Sequence, residues 1–107
     1  MKARMLKSLR TQQNTIFLTA LRDRREALGL RQADLAERLG ESQATVSRVE
    51  NGERRLDVIE LRTWLRALQV GFVPFLRKLD RTLDERAFPE FRVAKDATPR
   101  RTSRASR

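Results

Sequence analysis

Apolar residues recur along most of the chain at the three- and four-residue spacing of amphipathic helices. Glycine and polar residues interrupt this pattern, and no stretch sustains the strict alternation of a β-strand. The pattern therefore predicts an all-α fold with five helical segments. These are residues 14–28, residues 32–39, residues 42–51, residues 57–68 and a segment that starts near residue 74.

The residues between the segments are typical helix starts and stops. Gly29 and Gly40 follow two of the segments, where glycine commonly ends a helix. Ser42 is a good N-cap, and the spacing of Asp57 and Glu60 is that of a capping box. Pro74 is acceptable in the first turn of a helix.

The apolar stripes predict which residues form the core, except where Arg24 interrupts the stripe of the first segment. We expect Arg24 either to extend to solvent or to pair with a carboxylate. The predicted core residues are Phe17, Ala20, Leu21, Leu28, Leu35, Ala36, Leu39, Val46, Val49, Val58, Leu61, Trp64, Leu65, Leu68, Phe75, Leu76, Leu79 and Leu83.

The third segment has only two apolar positions, Val46 and Val49, which share one face. Its opposite face carries small, amide and guanidinium side chains and no carboxylate: Ala44, Ser47, Arg48 and Asn51, with Gln43 at the edge. Gln, Arg and Ala can recognise adenine, guanine and the thymine methyl group in a major groove. The capped helix start at Ser42 can also face a phosphate. A polar helical face in isolation is more often simply solvated.

The spacing of the second and third segments favours a helix-turn-helix. Gln32, Ala36, Gly40, Val46 and Val49 occupy relative positions 1, 5, 9, 15 and 18. The small residue allows the two helices to cross closely, glycine provides the positive φ of the turn, and the two valines anchor the second helix.

Residues 21–76 resemble the XRE family of helix-turn-helix proteins, which includes phage repressors of the Cro and CI type. The resemblance is carried by "LGLRQADLAERLG", "SQATVSRVENGERRLD" and "LRALQV". It implies a five-helix, lambda-repressor-like domain that binds DNA, usually as a dimer. The chain departs from the family pattern at three places. Arg24 stands where the family usually has an apolar residue, and Arg31 where it commonly has Ser or Thr. Phe72-Val73 precede Pro74, where the family often has Asp.

The resemblance also implies roles for individual residues. Arg25 and Glu50 would form a partly buried ion pair that orients the first helix against the third. The base-contacting residues would be Gln43, Ala44, Ser47 and Arg48. The phosphate-contacting residues would be Gln32, Asn51, Arg54 and Arg55. Two further candidates do not come from the resemblance: Ser42 at the capped start of the third helix, and Arg31, which weakens a cap but adds a charge near a phosphate.

The net charge of +10 is concentrated near the two ends of the chain. Residues 1–14 contain four basic residues and no acid, and residues 92–107 contain six basic residues and one acid. We therefore divide the chain into a basic N-terminal arm that can extend helix one, a helix-turn-helix domain, and a basic C-terminal arm that we expect to be flexible. These are residues 1–13, 14–85 (with the motif at 32–51) and 86–107. Basic arms attract polyanions, although they can also act only as solubilising tails.

The composition argues against catalysis and metal binding. The chain has no Cys, His or Tyr, so it lacks disulfides, thiolate zinc ligands, imidazole bases and phenolic acids. Asp34 and Glu37 are imaginable as paired carboxylates, but nothing on their helix face would shift their pKa values. We expect no enzyme, no cofactor and no metal. We also expect no signal peptide and no membrane span, and hence a cytoplasmic protein.

The leading hypothesis is a sequence-specific transcription regulator, a repressor that binds a palindromic operator as a dimer. Candidate dimer contacts are Ile59, Phe72, Phe75 and Leu79. The alternative is the antitoxin of a toxin–antitoxin pair, whose C-terminal arm would bind the toxin and which would autoregulate its operon. That arm carries Phe88, Pro89, Phe91 and Val93, which could add to the sheet edge of a partner. It could equally be disordered or lie over its own core.

Overall fold

A computed structural model describes the backbone of residues 2–86 and the side chains of residues 10–86. These residues form five α-helices and no strand, so the all-α prediction is confirmed. The C-terminal arm beyond Arg86, including Phe88, Pro89, Phe91 and Val93, lies outside the described residues. The helices are α1 Lys2–Ala27, α2 Gln32–Leu39, α3 Gln43–Glu50, α4 Val58–Ala67 and α5 Phe72–Glu85.

The end of α2 and the starts of α3 and α4 follow from local capping chemistry, as predicted. Gly40 ends α2 with a φ of 69°, a left-handed conformation that glycine adopts at little cost. The Ser42 hydroxyl accepts a hydrogen bond of 3.1 Å from the Thr45 backbone N–H at the start of α3. Asp57 and Glu60 form the capping box of α4, with hydrogen bonds of 2.7 and 2.9 Å.

Two helices begin earlier than the apolar pattern predicts. Helix α1 starts at Lys2 rather than near Asn14, so the basic N-terminal arm is part of the helix. Helix α5 starts at Phe72 after the N-cap residue Gly71, which places Pro74 third in the helix. Proline is tolerated there because the first backbone N–H groups of a helix have no intrahelical partner.

The core lies where the five helices meet, and every helix contributes to it. Ala36 is buried in α2, the helix that packs most extensively against α3. A small side chain at this position permits the close crossing of a helix-turn-helix. The buried apolar residues are Leu21, Leu35, Ala36, Val46, Val49, Leu61, Trp64, Leu65, Leu68 and Phe75.

Phe75 is buried, as the apolar stripe of the fifth segment predicts, and its ring packs edge-on against Phe17 with centroids 6.4 Å apart. This burial leaves little of the side chain for the dimer contact that we also expect there. Val58, which we expect in the core, is instead 60% exposed, because it is the first residue of α4 and lies at the edge of the core. Phe72 and Leu79 are half-buried against the core, whereas Ile59 is 69% exposed.

Arg24 finds a partner that we did not predict. Its guanidinium neither extends freely to solvent nor meets a carboxylate. Nε donates to the Leu68 carbonyl and Nη2 to the Gln69 carbonyl, both at 2.8 Å. Arg38 donates to the neighbouring Ala67 carbonyl, also at 2.8 Å. These carbonyls end α4, where the helix dipole favours a positive charge, so two arginines fix the end of α4 against α1 and α2.

Candidate nucleic-acid interface

Helix α3 has one fully buried face and one face open to solvent. Val46 and Val49 are inaccessible, and they hold the helix against the core. On the opposite side Ala44 and Arg48 are exposed and Ser47 is half-buried, with Gln43 exposed in the first turn. The predicted base-contacting residues therefore lie on the accessible side of the helix.

A buried ion pair fixes α3 against α1. Arg25 Nε donates to Glu50 Oε2 at 2.7 Å, and Arg25 Nη2 donates to Glu50 Oε1 at 3.0 Å. The third guanidinium nitrogen donates to the Leu30 carbonyl at 2.7 Å. The Arg25 and Glu50 side chains are only 9% and 3% exposed, so the geometry expected from the family resemblance is present. The only acidic side chain of α3 is thereby removed from its open face.

The ion pair continues as a chain of hydrogen bonds to the surface. Gln32 Nε2, at the start of α2, donates to Glu50 Oε1 at 2.9 Å. Gln43 Nε2, at the start of α3, donates to Gln32 Oε1 at 2.8 Å. The Gln43 amide keeps one N–H donor and its carbonyl acceptor for another partner. This donor and acceptor are the pair that a glutamine uses to contact adenine in the major groove.

The four arginines near α3 that could meet DNA, Arg31, Arg48, Arg54 and Arg55, differ in their partners. Arg31 is bound to Asp34 at 2.9 Å, and Arg54 is bound to Glu60 at 2.9 Å. Arg48 and Arg55 have no salt bridge among the residues that the structure describes. Arg48 and Arg55 could therefore bind a group of the DNA directly. Arg31 and Arg54 would first have to release their carboxylates.

The carboxylates in these two pairs have lowered pKa values. The Arg31 side chain donates hydrogen bonds to Asp34, and together with the Arg31 backbone N–H it lowers the pKa of Asp34 to about 2. The Asp57 backbone N–H and then Arg54 lower the pKa of Glu60. Ion pairs that are accessible to solvent contribute little to stability. Replacing the Asp34 or Glu60 carboxylate with a DNA phosphate would therefore cost little free energy.

A groove beside the end of α3 adds three residues of α1, Arg10, Gln13 and Asn14, to the candidate site. Asn51 and Arg55, which are already predicted to contact phosphates, also line this groove. In the sequence, Arg10 counts only as one charge of the basic N-terminal arm. The strong helix formers of residues 2–10 could have indicated a longer α1, and hence this groove.

Comparison with known proteins relates this geometry to a family. The family model described as Helix-turn-helix matches residues 21–75. A solved XRE-family like protein from Pseudomonas syringae pv. tomato str. DC3000 is 37% identical to this chain. That match covers 73% of this chain and 95% of the other, with a TM-score of 0.68. The chain belongs to the XRE helix-turn-helix family.

This XRE-family assignment supports a DNA-binding regulator of transcription, and the family is not typically enzymatic. No curated protein matches the chain. In the part of this XRE-family chain that the structure describes, no helix combines the length and apolar character needed to span a bilayer. The same part contains no group of acidic side chains placed to hold a metal ion.

Proposed function

We propose that this protein is a sequence-specific regulator of transcription that places α3 in the major groove of double-stranded DNA. The observation that carries the proposal is the asymmetry of α3: its apolar face is inaccessible, its acid is buried, and its open face has no carboxylate. The base contacts belong to Gln43, Ala44, Ser47 and Arg48. Arg48 is the main candidate, because a guanidinium can bind the O6 and N7 atoms of guanine together.

Phosphate contacts flank this face at both ends of α3. Gln32 and Ser42 lie at the starts of α2 and α3, where backbone N–H groups and the helix dipole favour an anion. Asn51 and Arg55 lie beyond the end of α3. Arg31 and Arg54 would join them by exchanging Asp34 and Glu60 for phosphates.

We further propose that the protein acts as a repressor and binds as a homodimer. A twofold dimer requires a near-palindromic site with half-sites roughly 10 base pairs apart, or a multiple of that distance. Ile59 is the best-supported contact among the original candidates because it is the most exposed of them. Such an interface would also cover two further exposed apolar residues: Val58 on α4, and Val73 on α5, which is 56% exposed.

The test is selection of bound sequences from random duplex DNA by the wild-type protein and by Arg48→Ala. We expect an enriched palindrome from the wild type, and loss of preference at one symmetric position in the variant. That loss should correspond to about 1–3 kcal/mol at one base pair. Lys78→Ala, which removes an equal charge from the exposed surface of α5 on a different face from Val73, is the matched control. Binding without any enriched sequence would contradict the proposal.

The antitoxin alternative depends on Phe88, Pro89, Phe91 and Val93, which lie outside the described residues. No contact among the described residues favours it over regulation by DNA binding alone. It would require a protein partner that binds residues 86–107. Purification of the full chain from its native source, with and without those residues, would reveal such a partner.

A further inference from the structure

A groove separates the N-terminal half of α1 from the turn that follows α3. Its rim is formed by Arg10, Gln13 and Asn14 on one side and by Asn51 and Arg55 on the other. Phe17 and Leu18 lie at its apolar base, next to Gly52. Gly52 has a φ of 82°, and a Cβ atom there would lie 3.5 Å from Leu18 Cδ1. The turn therefore packs directly on α1, which holds the two rims in a fixed arrangement.

The chemistry of the rim favours an anion with several oxygen atoms. It contains two guanidinium groups and three amide side chains, and the groove has no carboxylate among its described residues. Neither Arg10 nor Arg55 has a salt-bridge partner in residues 10–86. Guanidinium groups bind phosphate oxygens through paired N–H donors, and amides add further donors. Arg31 and Arg54, by contrast, already hold carboxylates.

The position of the groove indicates which phosphates it could reach. Asn51 is both the C-cap of α3 and a member of the rim, so the groove begins where the open face of α3 ends. The eight residues of α3 span about 12 Å at 1.5 Å per residue, which is about the width of the major groove. A helix seated in that groove therefore has a sugar–phosphate backbone beside its end.

We propose that this groove binds the DNA backbone next to the bases that α3 contacts, and that α1 is its outer wall. Arg10 neutralises a phosphate from one side and Arg55 from the other, while Gln13, Asn14 and Asn51 donate hydrogen bonds. The inference rests on the proposed function and extends it to a helix outside the helix-turn-helix. Because phosphates carry no direct sequence information, this contact sets the position and affinity of the protein but not its base preference.

The first test is the salt dependence of binding for Arg10→Ala. The control is Lys78→Ala, which removes the same charge from an exposed residue of α5 that does not line the groove and does not share the face of Val73. Binding is measured on the selected site and on an unrelated duplex. We expect the slope of log binding constant against log salt concentration to be less steep by about 0.9 for Arg10→Ala than for the wild type. The variant should weaken binding to both duplexes by the same factor. The control should keep the wild-type slope. Equal helix content by circular dichroism verifies that the variants are folded.

The second test is ethylation interference, which identifies each phosphate that binding requires. Ethylation of a backbone phosphate flanking the bases of each half-site should weaken binding by the wild type by a larger factor than binding by Arg10→Ala, which still holds that phosphate through Arg55 and the amide side chains. An unchanged slope together with an unchanged interference pattern would overturn the inference. Failure of the proposed function is distinct: the wild type would then bind the selected and unrelated duplexes equally. In that case the slope of Arg10→Ala on either duplex still tests the groove.

Discussion

The buried pair of Arg25 and Glu50 gives the sharpest prediction for stability. Glu50→Gln keeps the shape of the side chain but removes the charge that balances Arg25. The Glu50 carboxylate accepts two hydrogen bonds from Arg25 and one from Gln32, at 2.7 to 3.0 Å. The Arg25 guanidinium, whose side chain is only 9% exposed, would keep only the Glu26 carboxylate, which is 3.9 Å away and 60% exposed. Breaking one partner of such a pair typically costs about 3–5 kcal/mol.

This loss is large compared with the stability of a small domain, which is about 5–15 kcal/mol. With a urea m-value of about 1.5 kcal/mol per molar, a loss of about 3 kcal/mol lowers the midpoint of unfolding by about 2 M. The assay is urea unfolding followed by helical circular dichroism. Arg48→Ala, an exposed change on the same helix, should stay within about 0.5 kcal/mol of the wild type.

A double variant distinguishes the stranded charge from the loss of the contact itself. Arg25→Met with Glu50→Leu replaces the pair with apolar side chains of similar size, which is often neutral or stabilising. It should recover part of the lost stability, less about 1 kcal/mol each for the Leu30 carbonyl, which loses its donor, and the Gln32 amide, which loses its acceptor. A loss below about 1 kcal/mol in Glu50→Gln would refute the reasoning, since it would mean that the buried charge is well solvated.

Three further predictions concern local features. Ser42→Ala should lower the free energy of unfolding by about 1 kcal/mol, measured by urea unfolding, because the N-cap of α3 is lost. Gln69→Gly should raise it by about 0.5–1 kcal/mol in a thermal scan, because Gln69 has a φ of 59° that glycine adopts more easily. The Asp34 carboxyl should titrate by NMR at a pKa of about 2 and return towards 3.8 in Arg31→Ala. Since folding lowers this pKa, the contribution of the pair to stability is complete above pH 3.8 and is lost as the pH falls towards 2. An unchanged Asp34 titration in Arg31→Ala would contradict the assignment of this pair.

The sequence predicts the inner helices well because their signals are local. Gly40, Ser42 and the Asp57–Glu60 pair act within one or two turns of chain, so their effect does not depend on the rest of the fold. The orientation of α3 also follows from the sequence, since two valines three residues apart define its buried side. These features suffice to place the candidate base-contacting face.

Other features depend on tertiary contacts and could not be predicted in the same way. Arg24 binds the carbonyls that end α4, a partner 44 residues away that has no sequence signal. Val58 falls on the apolar stripe of α4 but is exposed, because it is the first residue of that helix and lies at the edge of the core. The groove that Arg10 lines depends on the early start of α1 at Lys2, which the apolar pattern does not predict.

The chain of hydrogen bonds through Gln32 divides the surface of α3 into two kinds of position. Gln43 is tied through Gln32 to the buried pair, so a substitution there disturbs a contact between helices. The side chains of Ala44 and Arg48 have no such tie among the described residues, and they point away from the core. Substitutions at these two positions can accumulate at little cost to folding. Under the proposed function, a lineage carrying this scaffold could therefore diverge towards new target sites by changing these two side chains while its core remains the same.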